Sequence, residues 1–192
     1  MTLTLLTREV VPFLLALLAL VVAALLVDGL LHALDLVWVG RYLGIPGVLL
    51  IIGSFGYSLR KRKLIAQGNP ATLLRLHERM AWIGCLMVLV HAGIHFNAIL
   101  GWLAVGALLI NVGSGLTGKY LLQRARLRLA ATGETLRRQG LSGHELEEHL
   151  YWDSLTFDVV KQWRAVHYPI TLAFAVLATA HIVSVFVFWS WR

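Results

Sequence analysis

The sequence predicts an all-α membrane protein, a helical bundle of about five transmembrane helices. Three observations carry that expectation. Of 192 residues, 58% are hydrophobic and only 14% charged. Mean hydropathy is +0.74. The apolar residues also gather in windows of about 17 to 25, the length that crosses a bilayer as a helix. A chain of this size has room for a single transmembrane domain, residues 1–192, and none for a second folded unit. The lone cysteine, Cys85, lies in an apolar run and excludes an intramolecular disulfide.

The first span is expected from Val10 to about Val27. One basic residue, Arg8, precedes an apolar run longer than a signal-peptide core, and no small-x-small cleavage site follows, so it reads as a retained helix. Asp28, His32 and Asp35 come next, on neighbouring helical positions at its far end. They suit an interfacial polar cluster better than a proton-handling or quinone site. The second span, Leu43 to Leu59, is short and contains Pro46, Gly47 and Gly53. The third runs from Leu73 to about Leu100 and the fourth from Trp102 to Leu122. A polar loop, Gln123–Trp163, separates the fourth from the last, about Arg164 to Phe188.

Charge fixes the expected orientation. Fifteen of the 17 Lys and Arg residues flank the amino terminus, the second loop (Arg60 to Arg79) and the fourth loop (Lys119 to Arg164). Only Arg41 and Arg192 flank the other side. The positive-inside rule then places the amino terminus and the 123–163 loop in the cytoplasm and the carboxyl terminus outside. Trp38, Tyr42, Trp102, Trp189 and Trp191 supply an outer aromatic belt. The net charge of +7 therefore reports topology and membrane lipid contact, and no nucleic-acid partner is expected.

Histidines carry the functional signal. His77 and His91 in the third span, and His167 and His181 in the fifth, share a spacing of 14 residues. That spacing turns a helix through roughly 1400°, leaving both rings within about 40° of one face and about 21 Å apart. The two helices cross in the same direction, so His77 matches His167 in depth and His91 matches His181. Imidazoles within a membrane face its protein interior and bind something. Two depth-matched pairs would hold two haem irons, one near each surface, with both axial positions filled. No Cys-x-x-Cys-His attachment is available, so the expected cofactor is non-covalent haem b. Interhelical hydrogen bonding is the rival explanation, and it suits one such histidine better than four. His95, 18 residues from His77, lies nearer to its rotational register than His91 does. Its depth, about 27 Å away, matches no partner, which favours His91.

Around these histidines, Gly84 lies midway between His77 and His91, and Gly93, Gly101, Gly106, Gly113 and Gly115 thin the following surface. Such gaps admit a flat porphyrin, or simply a helix–helix contact. Phe174, midway between His167 and His181, would pack between two haems or serve as core. Arg75, Arg79, Lys161 and Arg164 would meet haem propionates, or act only as topological charge. In the fourth loop, His144-Glu145-Leu146-Glu147-Glu148-His149 fits no zinc motif, and Ser142 with Glu145 forms a capping box that predicts a short acidic helix. Arg124, Arg126 and Arg128 suit phospholipid headgroups or a protein partner.

Trp163-Arg164-Ala165-Val166-His167 resembles the entry to the haem-bearing fifth helix of ferric reductase-like transmembrane domains, and His77-Glu78-Arg79 followed by His91 is similar to their third helix. That di-haem cytochrome b group includes NADPH oxidases, metalloreductases and the haem subunit of bacterial methionine sulfoxide reductase systems. The resemblance covers roughly Leu73 to Phe188. It implies two b-haems carrying electrons across a membrane, for which a bacterial inner membrane is expected, with His77, His91, His167 and His181 as iron ligands. No flavin or nicotinamide-nucleotide domain follows the last helix in this sequence. A redox protein on the cytoplasmic face, or a quinol, is therefore expected to exchange the electrons. The competing expectations are a haem-free anchor or assembly subunit for a soluble partner, and a self-standing quinol or metal reductase.

Overall fold

The computed structural model describes residues 11–94, 98–117, 123–140, the single positions 145, 150, 158 and 162, and 165–188. Regular structure among the described residues is helical, with no strand. The helices are α1 (Val11–Ala33), α2 (Val37–Tyr42), α3 (Gly44–Ser54), α4 (Gly56–Lys61), α5 (Pro70–Ile94), α6 (Ile99–Leu116), α7 (Gln123–Arg138) and α8 (His167–Phe188).

Among the described residues, four segments are long and apolar enough to cross a membrane: α1, the α2–α4 run (Val37–Lys61), α6 and α8. Helix α5 has the length, 25 residues, while His77, Glu78, Arg79 and His91 lower its apolar character. The large side chains confirm which solvent these helices meet. Leu25 and Leu26 of α1 are 66% and 69% exposed, and Val187 and Phe188 of α8 are 67% and 82% exposed. In water each such side chain would cost about 1.5–3 kcal/mol relative to burial, and in hydrocarbon that penalty disappears. The chain is a helical membrane protein.

Local chemistry explains the boundaries. Asn69 caps α5 by accepting the Ala71 N–H at 2.9 Å, and Pro70 takes the first helical position, where a missing N–H costs nothing. The second span is interrupted at Leu43 and Phe55 rather than continuous. Pro46 is tolerated because it falls in the first turn of α3. Helix α1 outruns its expected end at Val27, so Asp28 and His32 sit in its final turns. Asp35 instead leaves the helix with φ 55°, which corrects its expected place on the same helical face. The arginine-bearing segment read as loop is a 16-residue helix, α7. It stops at Gly140, whose φ of +87° suits the left-handed position that ends helices.

Two compact units are distinguishable. One covers Gly106–Val176 with the chain up to Leu17, the other Leu18–Val105 with the chain from Leu177 onward. In the second unit, α3 crosses α5 at Gly47 and Gly84. A Cβ on Gly84 would lie 2.8 Å from the Gly47 carbonyl oxygen, and one on Gly47 would lie 3.0 Å from that of Gly84. Only glycines allow the two backbones to approach this closely. Ile51 packs against Gly84 and Val88 against Gly47 at the crossing, and Ile51, Cys85 and Val90 are buried. In the first unit, Leu108, Ser114, Leu116, Thr117 and Phe174 are buried.

Candidate functional site

His91 and His181 come together. They stand on α5 and α8 within one unit, with ring centroids 6.4 Å apart and planes inclined by 63°. Glycines make room for both rings. A Cβ on Gly44, at the start of α3, would lie 2.8 Å from Cδ2 of His91 and 3.0 Å from its Nε2. Gly101 of α6 faces His181 more loosely, at 3.6 Å from Cε1 to the Cβ it lacks. Ser184 donates to the His181 carbonyl at 2.7 Å. Imidazoles on opposite faces of one iron, each with a metal–nitrogen bond of about 2.0 Å, have ring centroids roughly 6 Å apart. The separation of His91 and His181 fits that requirement.

His77 occupies a built environment of its own. Its Nδ1–H donates to the backbone carbonyl of Ser54 at 3.0 Å, and its ring lies 5.9 Å from that of Tyr57 at 34°. Ser54 is the last residue of α3, where carbonyls lack a full set of intrahelical partners. A carbonyl can only accept, so Nδ1 carries a proton and donates it here. Imidazoles that bind metal are oriented by a hydrogen bond of this type.

His167 opens α8 in the other unit. Its Nδ1 lies 2.5 Å from the Ser114 hydroxyl, and Ser114 reaches the Asn111 carbonyl at 3.0 Å. Thr171 is 2.7 Å from the His167 carbonyl and 2.8 Å from Asn111 Oδ1. Gly115 passes the ring at ordinary contact distance. His77 and His167 belong to different units.

The remaining candidates divide. Phe174 is buried, 5% exposed. Gly84, expected to border a porphyrin, is filled on its Cβ side by the Gly47 carbonyl and Ile51, so it serves the α3–α5 crossing. Arg75 and Arg79 are exposed on α5. Gly93 is where α1 approaches α5, with the Asp28 carboxylate 3.4 Å from the missing Cβ. His32 turns Nδ1 to the Asp28 carbonyl at 2.9 Å and lies 3.6 Å from its carboxylate. His95, Lys161, Trp163, Arg164, Ser142, His144 and His149 lie outside the described residues.

Sequence reasoning missed Ser54, Ser114, Asn111 and Thr171. Asn111, Ser114 and Thr117 recur every third residue in an otherwise apolar helix, a polar stripe that could have announced a buried partner. No group of three or more His, Cys, Asp or Glu side chains suited to a bare metal ion occurs among the described residues. Haem asks less of the protein, because the porphyrin supplies four ligands and the chain two. No family model, curated protein or solved structure matches this chain.

Proposed function

We propose that this chain is a di-haem b-type membrane cytochrome that carries electrons across the membrane as a subunit of a larger redox complex. The observation that carries the reading is the His91–His181 pair. Two imidazoles from helices distant in sequence meet at 6.4 Å between centroids, inside a protein whose surroundings are apolar. An imidazole in such a place needs a strong partner. His91 and His181 would hold the outer haem, and His77 and His167 the cytoplasmic-side haem. Haem b held by these imidazoles would supply one-electron transfer. The chain's own residues do the positioning: Gly44 and Gly101 accommodate the outer rings, while Ser54 orients His77.

The distribution of Lys and Arg supports a cytoplasmic amino terminus and an external carboxyl terminus in a bacterial inner membrane. It also makes the cytoplasmic face the docking side for a redox protein. The basic segment Arg124 to Arg138 and the acidic one Glu145 to Asp158 would steer a redox protein toward the inner haem.

Purified protein should show a sharp reduced α-band and two b-haems per chain by pyridine haemochrome analysis. One haem or none overturns the two-haem reading. Neutralising Arg124, Arg126 and Arg128 together should abolish partner co-purification while haem content stays at two. Unchanged co-purification would leave α7 to lipid and move the docking side to the outer face.

A further inference from the structure

The hydroxyl of Ser114 sits between two groups that constrain its single hydrogen. On one side is the Asn111 carbonyl at 3.0 Å, able only to accept. On the other is Nδ1 of His167 at 2.5 Å, an atom that either donates or accepts according to tautomer. Ser114 is fully buried, 0% exposed, so water does not compete for either bond. When the serine hydrogen goes to Asn111, the serine oxygen accepts from His167, and the ring must be the Nδ1–H tautomer. Both contacts are then satisfied at once. The reverse arrangement, with serine donating to Nδ1, leaves the Asn111 contact without a hydrogen.

The neighbouring bonds hold this geometry. Thr171 is one turn beyond His167 on α8, and its hydroxyl contacts both the His167 carbonyl, 2.7 Å, and the Asn111 side chain, 2.8 Å. Thr171 shares its one hydroxyl hydrogen between these two acceptors, and Asn111 presents its backbone to Ser114 and its side chain to Thr171, so that α6 meets α8 at His167 and again one turn beyond it.

We propose that Ser114, aligned by Asn111 and Thr171, is the positioning residue that fixes His167 as the Nδ1–H tautomer, presents Nε2 to iron and lowers the reduction potential of that haem. The proposal rests on the cytochrome reading. Its physical basis is that an acceptor on Nδ1–H makes the imidazole more basic, and a more basic axial ligand favours ferric over ferrous iron. The same device serves His77, with the Ser54 carbonyl in place of a hydroxyl.

The test is potentiometric titration with low-spin EPR on purified wild-type, Ser114→Ala and Ser114→Thr proteins. Ser114→Ala should retain two haems, raise one midpoint by about 59 mV, which is tenfold in ferric preference for one electron, and change one EPR signal. Loss of one haem in Ser114→Ala, with Ser114→Thr keeping both at the wild-type potential, would also support the role. Unchanged potentials and EPR in a two-haem Ser114→Ala protein overturn the inference alone. If Ser114→Ala does not accumulate, Ser114→Thr must restore both yield and potential, and failure to do so overturns it as well. Wild-type protein without haem overturns the cytochrome reading, and with it the task assigned to Nε2.

Discussion

The two ends of the histidine helices are built by different means. At the carboxyl-terminal end, Gly44 and Gly101 clear space beside His91 and His181, whose ring centroids lie 6.4 Å apart with planes inclined by 63°. Toward the amino-terminal end, hydrogen bonds orient each ring, His77 to the Ser54 carbonyl and His167 to the Ser114 hydroxyl. Shape sets where an imidazole is, whereas a bond to Nδ1 also sets which nitrogen offers its lone pair. The first kind of site should respond to added volume and the second to removal of a polar atom.

The largest expected effect breaks the comparison at its ligands. His91→Ala and His181→Ala should each lower haem content from two to one and remove the same spectral component. His77→Ala and His167→Ala should each remove the other component. Components that sort differently among the four variants would dissolve the pairing. His95→Ala should keep both haems, and loss of the outer one there with retention in His91→Ala would transfer the ligand assignment to His95.

Added volume should matter next. Gly44→Ala places a methyl 2.8 Å from the His91 ring. It should destabilise by about 1–3 kcal/mol, with weakened retention of one haem, measured by denaturant titration in detergent with the Soret band as the probe. Gly84→Ala meets a backbone oxygen at the same distance. It should cost a similar amount in helicity-monitored stability while leaving the haem spectra alone until the protein unfolds. If both variants disturb one haem equally, the α3–α5 crossing and the His91 site are a single structural element. The smallest effect is expected from Gly101→Ala, whose methyl would sit at ordinary contact distance from His181. Haem content and stability should match wild type within about 0.5 kcal/mol.

Much of this architecture was legible in the residues. Long apolar windows announced the membrane-spanning helices because hydrocarbon offers the backbone no hydrogen-bond partner and forces it to satisfy itself locally. The 14-residue histidine spacing similarly announced rings on one helical face, since helical periodicity is a local property. Boundaries depended on finer signals. The Asn69–Pro70 start of α5 and the Gly140 stop of α7 can be found in the sequence, whereas α7 itself resembles a loop there because its polar composition lacks the apolar run that marks a membrane span.

What the sequence by itself determined is therefore the helical class, the solvent and the existence of a repeated histidine spacing. All three follow from composition and from periodicity within one segment. Tertiary structure decided which groups meet across segments. His91 lies beside His181, Gly84 meets the Gly47 carbonyl, and the Ser114 hydroxyl meets His167. Those choices depend on crossing angles and close approaches between helices far apart in the chain. A rotation of one helix by a single residue, about 100°, would replace every one of these partners while leaving the apolar character of each span unchanged.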